Sequence, residues 1–108
     1  MKGIGFIGNS LKVVRGFSAL AKREAGHQLD RVQRGLDPMD WKPTNSIGQG
    51  VREIRIHHEG QYRVIYVASF KENVYVLHAF QKKTRKTSRQ DLEAAKRGFK
   101  EVLERQRS

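Results

Sequence analysis

The chain lacks cysteine altogether among its 108 residues. Disulfide bonds, thiolate catalysis and cysteine-based zinc sites are therefore excluded. The four histidines do not have the spacing of metal ligands, and few acidic residues lie near them in sequence. A glycine-rich phosphate loop and a nucleophile elbow are also missing. We therefore expect a protein without a bound metal and without a cofactor.

Long hydrophobic runs are missing as well. No segment approaches the ~20 consecutive apolar residues of a membrane-spanning helix. The first residues, MKGIGFIGNSLKVV, contain no apolar run long enough for a signal peptide. The sequence therefore predicts a cytoplasmic protein that does not associate with a membrane. Its length suits a single domain over residues 1–108.

Negative charge is scarce. The chain has 22 lysines and arginines but only 11 aspartates and glutamates, which gives a formal net charge of +11. A small domain with this excess of positive charge commonly binds a polyanion, either nucleic acid or the acidic surface of another protein. The composition alone thus indicates an anionic partner.

Proline is rare, and both prolines lie in the segment 37–50 together with other turn-forming residues. This segment predicts an ordered surface loop, in which Trp41 is expected to be the core anchor. Before it, residues 3–7 can form a short strand. Asn9 or Ser10 can then begin a short helix.

Two longer helices are predicted. The first lies between Ser18, its N-cap, and Gly35, its stop signal. Its apolar positions recur at helical spacing and are Leu20, Ala25, Leu29, Val32 and Leu36. The second begins at about residue 89 and is capped by Ser88 and Asp91 in the pattern S-x-x-D. Its apolar stripe consists of Leu92, Ala95, Phe99 and Val102.

Three strands are predicted between these helices, at about 51–58, 61–70 and 73–81. The last two are apolar on both faces, which favours central positions in an antiparallel sheet that is covered on both sides. Alternation also assigns side chains to faces. Arg63 is expected to share a face with Ile65 and Val67, and His78 is expected to share one with Val74, Val76 and Phe80. The order of elements predicts a small α+β domain.

Arg63 is the most unusual of these residues, because an arginine inside an apolar strand is costly to bury unless it is paired or binds a ligand. Most polar residues near it in sequence are positive, so the indicated ligand is an anion. The last strand runs into a series of cations, QKKTRKT, at residues 81–87. Such a series can clamp phosphates, although a solvated loop has the same composition.

Metal-independent cleavage of RNA needs the residue types found here. The 2′-hydroxyl loses a proton as it attacks phosphorus, charge develops on the phosphoryl oxygens, and the leaving 5′-oxygen gains a proton. Arginine supplies fixed charge and a bidentate fork for phosphate. Histidine transfers protons near neutral pH, and lysine does so when neighbouring cations lower its pKa. The candidates on the three strands are Arg55, His57, Arg63, His78, Lys82 and Lys83.

Several candidates also have simpler explanations, which the sequence leaves open. Arg55 can pair with Glu53 or Glu59 at the surface. His57 lies near a turn and can be merely solvated. His78 can be a core histidine with a satisfied hydrogen bond.

Four segments carry a resemblance to a known family: GHQLDRVQRGLDPMDWKP, GVREIRI, YRVIYVA and VYVLHAFQKKTRKT. Together they resemble the RelE/HigB superfamily of type II toxin–antitoxin toxins, and within it the phage-derived, HigB-like branch. The resemblance extends from about Phe6 to Arg97. YRVIY is shared by much of the superfamily, whereas VLHAFQKKT and the DWKP loop are more specific to this branch.

The resemblance implies a RelE-like fold, in which two N-terminal helices pack on a small antiparallel sheet and a C-terminal helix follows. It implies a toxin that cleaves mRNA in the ribosomal A site and so inhibits translation. The partners that it implies are the ribosome, mRNA and a cognate helix-turn-helix antitoxin.

The resemblance also implies site residues. Arg63 lies within YRVIY and transfers directly. The ends of the neighbouring strands transfer as regions, and these contain the further catalytic candidates Arg55, His78, Lys82 and Lys83. The RNA-binding candidates are Arg52, His57, Arg85 and Lys86. No tyrosine follows Tyr75, so the C-terminal catalytic tyrosine of some relatives has no counterpart and the general base stays open.

Two other functions remain compatible with the sequence. The first is a non-enzymatic inhibitor on the same fold, comparable to the ParE toxins that poison DNA gyrase. The second is an inactive relative that binds an antitoxin or nucleic acid. The basic residues together with histidine favour RNA cleavage over both.

Overall fold

A computed structural model describes residues 1–107 and has an α+β architecture. In chain order, its elements are β1 Gly3–Phe6, α1 Ser10–Arg15, α2 Ala19–Gln33, β2 Trp41–Pro43, β3 Val51–His57, β4 Gln61–Val67, β5 Asn73–Lys82 and α3 Arg89–Arg107. The strands form one sheet in the order β1-β5-β4-β3-β2. Among the helices of residues 1–107, none has the length and apolar character needed to cross a membrane.

The sheet is mixed, so the prediction of an antiparallel sheet was wrong in part. The strands β2, β3, β4 and β5 pair antiparallel as neighbours, but β1 pairs in parallel with β5. The predicted short strand at 3–7 is thus confirmed, and it occupies the free edge of β5. A strand that was not predicted, β2, lies in the expected loop 37–50 and is too short to show a strand period.

Apolar side chains cover both faces of the sheet, as predicted for its central strands. On one face, α1 and α2 pack against residues such as Ile54, Val64 and Val76. On the other face, α3 packs against residues such as Ile65, Leu77 and Phe80. Two apolar clusters thus lie on opposite sides of one sheet, and β4 and β5 contribute to both.

Helix α2 begins and ends where the sequence predicts. The Ser18 hydroxyl accepts a hydrogen bond of 3.3 Å from the Ala21 amide. After the helix, Gly35 has φ 85° and the Leu36 amide donates to the Arg31 carbonyl at 2.9 Å. Glycine adopts this left-handed conformation without a steric penalty. Leu36 therefore lies beyond the helix and is exposed, and Leu20 is exposed as well, so neither joins the predicted apolar stripe.

A β-bulge in β5 changes the faces of its side chains. Ile65 pairs with His78, but its neighbour Tyr66 pairs with Val76, so Leu77 is an extra residue in β5. A bulge of this kind reverses the alternation that follows it. Val76 consequently faces α1 and α2, whereas His78 faces the α3 side. The prediction that His78 shares a face with Val74 and Val76 was therefore wrong, although its position beside Phe80 is retained.

Candidate active site

Four cations lie at one end of the sheet, on the face that packs against α3. They come from four adjacent strands and are Lys42, Arg55, Arg63 and Lys82. We call this group the basic face. The strand register brings it together, because Arg55 lies opposite Arg63 and Lys82 lies opposite Gln61. Alternation then places these side chains on the same side as Ile65 and Phe80.

Arg63 lies in the middle of the basic face and is only 6% exposed. Its Nη1 donates to the Tyr62 carbonyl at 2.9 Å, and both terminal nitrogens lie 3.5 Å from Gln61 Oε1. Burial lowers the pKa of the guanidinium, and the nearby Glu53 opposes this shift. Because arginine is not deprotonated in proteins, Arg63 stays charged. The strand thus presents a fixed positive charge held by its own backbone.

Glu53 lies beneath these cations and is 1% exposed. Its Oε2 is 3.5 Å from Arg63 Nε and 3.5 Å from Lys42 Nζ. These distances are longer than the 2.7–2.9 Å that is typical of a charge-assisted hydrogen bond. One buried carboxylate is therefore shared by two cations without being tightly bound to either.

Lys82 is the last residue of β5 and is half-buried. Burial lowers the pKa of its ammonium group, and the positive charge of Arg63 lowers it further, whereas Glu53 raises it. A lowered pKa increases the fraction of neutral amine at a given pH, and only the neutral amine can accept a proton. Lys82 is thus the group of the basic face that is best suited to proton transfer.

The segment that follows β5 is an exposed, basic loop. Lys83, Arg85 and Lys86 are all exposed, and the Thr84 hydroxyl donates to the Lys86 carbonyl at 2.7 Å. Between this loop and the end of the sheet is a recess of about 190 Å³. The residues that line it include Phe80, Lys82, Lys83, Lys86 and Ser88. Phosphate contacts from this loop are compatible with its position beside the basic face.

Arg55 and His57 both pair with Asp40, the residue before β2. Arg55 lies 2.9 Å from Asp40 Oδ1 through Nε and 2.8 Å through Nη2, and His57 Nε2 is 3.4 Å from Oδ2. The partner of Arg55 is therefore neither Glu53 nor Glu59, the two carboxylates suggested by the sequence. Within residues 1–107, no cluster of three or more potential metal-binding side chains is present.

His78 does not join the basic face. Its Nε2 lies 2.7 Å from Asp91 Oδ1 at the beginning of α3, and its ring stacks on Phe80 with a centroid distance of 5.6 Å. Asp91 also accepts a hydrogen bond of 2.6 Å from the Ser88 hydroxyl, and its amide donates to Ser88 Oγ at 3.1 Å. The predicted Ser88 cap is confirmed. The contact between His78 and Asp91 links this capped end of α3 to β5.

Arg52 lies on the opposite face, beside α2. Its guanidinium is 3.9 Å from the centre of the Trp41 ring, and its Nη1 is 2.8 Å from Asp37 Oδ1. The half-buried Trp41 is therefore a platform for Arg52 in β2 and does not belong to either apolar cluster, contrary to its expected role as a core anchor. Arg52 is separated from the other RNA-binding candidates by the sheet itself.

Residues 12–100 match the model of a protein family described as phage-derived protein Gp49-like (DUF891). The chain belongs to this family. The Gp49-like family is in general a RelE/HigB-like family of toxins related to toxin–antitoxin systems. A toxin of this kind implies an antitoxin partner in general. No curated protein matches the chain.

The basic face of this Gp49-like protein contains residues that the sequence did not reveal. Lys42 lies in the segment expected to be a loop, and the sequence indicates Glu53 only as a possible partner of Arg55. The alternation of β3 puts Glu53 at an inward position, and this was the available signal. Lys42 offered no comparable signal, because only the pairing of β2 with β3 brings it opposite Glu53.

Proposed function

We propose that this protein is the toxin of a type II toxin–antitoxin system, a metal-independent endoribonuclease that cleaves mRNA on the ribosome. In this proposal the chain 1–108 acts as one RelE-like domain in the cytoplasm, and a helix-turn-helix antitoxin restrains it. The observation that supports it most is the position of Arg63. A buried, charged guanidinium lies beside Lys82, the lysine whose pKa is lowered by burial and by Arg63 itself.

The proposed reaction is attack of a 2′-hydroxyl on the adjacent phosphate. Lys82, as the neutral amine, accepts the proton of the hydroxyl while the 2′-oxygen forms its bond to phosphorus. Arg63 binds the phosphoryl oxygens as negative charge develops on them, and Arg55 adds to the positive field. The bond from phosphorus to the 5′-oxygen breaks, and Lys83 gives that oxygen a proton. The products are a 2′,3′-cyclic phosphate and a 5′-hydroxyl.

Dependence on the ribosome follows from what the basic face offers. It carries charge for phosphates, but the predicted proton-transfer residue His78 lies outside it and is engaged with Asp91. The ribosome would supply the missing orientation of the mRNA, and orientation of this kind contributes several kcal/mol to catalysis, roughly 7–11 in favourable cases.

The test compares naked RNA with the same mRNA on translating ribosomes. We expect cleavage of the ribosome-bound mRNA by the purified protein and almost none of the naked RNA, with products carrying cyclic phosphate ends. Equal cleavage of both substrates would contradict ribosome dependence. Growth inhibition without any cleavage would favour a ParE-like inhibitor, which a gyrase assay would then identify.

A further inference from the structure

The buried carboxylate of Glu53 has no role in the reaction above, yet it lies at the centre of the basic face. Acidic side chains are rarely buried to this degree unless they are paired. Glu53 is 1% exposed, and the two cations nearest to it are Arg63 and Lys42. A residue that only completed the fold could be apolar here, because its partner across the strand pair in β4 is Ile65.

The contact between Glu53 and Arg63 is an electrostatic attraction without a hydrogen bond. Within residues 1–107, neither Glu53 Oε2 nor Arg63 Nε makes a hydrogen bond, although both atoms are buried. The distance between them is 3.5 Å. The carboxylate therefore holds the guanidinium by charge. Nη1 donates to the Tyr62 carbonyl, and the remaining contacts of the terminal nitrogens in the Arg63 fork are bonds of 3.5 Å to Gln61 Oε1, which a stronger acceptor can replace. A phosphate group is an acceptor that matches this fork.

Positive charges outnumber negative charges around Glu53. The cations that face it are Lys42 from β2, Arg55 from β3, Arg63 from β4 and Lys82 from β5. Two other carboxylates lie near them. Asp40 is paired with Arg55 and His57. Asp91 of α3, which lines the recess beside Lys82, is paired with His78. Without Glu53, the cations around Arg63 and Lys82 would repel one another in a poorly solvated site. Glu53 is thus the group that allows them to be close before RNA arrives.

We propose that Glu53 is a positioning residue of this site, whose buried carboxylate fixes Arg63 and Lys42 and balances the cations until an RNA phosphate binds. This inference rests on the proposed function for its effect on cleavage. It also has a consequence in the free protein. Glu53 raises the pKa of Lys82, so its removal leaves the lowering effects of burial and of the other cations unopposed.

The variant that tests this role is Glu53→Gln, which keeps the shape and removes the charge. Glu101→Gln is the matched control, because it removes the same charge from an exposed pair with Arg105 on α3. The first measurement is the titration of Lys82 in the free protein by NMR with labelled lysine side chains, assigned through Lys82→Arg. The second is single-turnover cleavage of mRNA on ribosomes saturated with the protein, as a function of pH.

We expect Glu53→Gln to lower the pKa of Lys82, and Glu101→Gln to leave it unchanged. We also expect Glu53→Gln to slow cleavage at saturation by roughly 10- to 100-fold, because Arg63 is then oriented only by its contacts with Tyr62 and Gln61. Since the neutral amine is the reactive form, the rate of the variant should level off at a lower pH than that of the wild type. A titration and a rate that match those of Glu101→Gln would overturn the proposal.

A charge-preserving variant covers the case in which Glu53→Gln does not fold. Glu53→Asp keeps the carboxylate but withdraws it from Arg63 by one methylene group. A positioning role predicts slower cleavage by folded Glu53→Asp with little change in the Lys82 titration, and cleavage at the wild-type rate would contradict it. If the wild type itself does not cleave, the proposed function fails, while the Lys82 titration still decides whether Glu53 controls these cations.

Discussion

The two faces of the sheet each carry an arginine, and the two arginines differ in burial and in their carboxylate partners. On the face covered by α1 and α2, Arg52 stacks on Trp41 and pairs with Asp37 at 2.8 Å. On the α3 side, Arg63 is more deeply buried, and its nearest carboxylate is 3.5 Å away and shared with Lys42. The first arginine thus has its own partner, whereas the second belongs to a group in which positive charge is in excess.

In the proposed function, this difference marks where the molecule has less stability in exchange for binding. A buried cation without a close partner lowers the free energy of unfolding, since desolvation is only partly offset by a distant carboxylate. Sites that bind charged ligands commonly carry such a cost. The basic face is therefore the part of the surface where an added anion should gain the most.

The strongest test of the difference between the two arginines is to replace each of them in turn. Arg63→Ala should reduce single-turnover cleavage of ribosome-bound mRNA by about 100-fold or more, or about 2.7 kcal/mol of transition-state stabilisation. Arg52→Ala should change the same rate only a few-fold, because its side chain lies on the opposite face. Growth inhibition should follow the same order.

The comparison of the two arginines requires that both variants fold. Circular dichroism and thermal unfolding of each purified variant provide this control, and Arg63→Lys tests whether the guanidinium fork is needed beyond its charge. Folded Arg63→Ala that remains toxic would exclude Arg63 as the phosphate-binding residue. A larger loss of activity from Arg52→Ala than from Arg63→Ala would place the active site on the face covered by α1 and α2, contrary to the proposal.

A smaller effect should separate the strand from the loop within the basic region. Lys82 ends β5, whereas Arg85 and Lys86 lie in the exposed loop. Phosphate neutralisation contributes to affinity from any nearby position, but stabilisation of a transition state needs a fixed one. We therefore expect Arg85→Ala and Lys86→Ala to weaken ribosome binding by about 10-fold or less each.

The chemical step should show the opposite order. At saturating ribosome, Lys82→Ala and Lys83→Ala should slow cleavage more than Arg85→Ala and Lys86→Ala do. Single-turnover rates for the four variants measure this directly. If Arg85→Ala and Lys86→Ala slow cleavage by the bound complex as much as Lys82→Ala and Lys83→Ala do, the distal part of the loop belongs to the active site and the division fails.

The sequence predicted the fold well where local signals were strong. Gly35 ended α2, Ser18 and Ser88 capped their helices, and the apolar strands β4 and β5 became interior strands of the sheet. In each case the deciding interaction is between neighbours along the chain or follows from a strand period. The resemblance to RelE/HigB-like toxins agrees in general with the family match over residues 12–100.

The candidate site was less predictable, because it depends on pairing between distant strands. The β-bulge at Leu77 moved His78 toward α3, and alternation alone cannot anticipate an inserted residue. The three-residue strand β2 brought Lys42 opposite Glu53 and Asp40 next to Arg55. These contacts join residues that are far apart in the chain, and no spacing pattern in the sequence predicts them.

The smallest expected effect concerns capture of the antitoxin. A chain with a net charge of +11 should attract an acidic partner, and salt should slow their association by screening this attraction. Because the loop after β5 adds exposed cations to those of the basic face, the pair Arg85→Ala and Lys86→Ala should slow association at low salt by a few-fold. The matched pair Lys22→Ala and Arg23→Ala on exposed positions of α2 should slow association less.

Stopped-flow association with the cognate antitoxin at several salt concentrations measures the salt dependence and the effect of each pair of substitutions. A rate that does not change with salt would show that the positive field has no part in capture. A larger effect from the α2 pair would place the antitoxin-docking surface beside α2 instead.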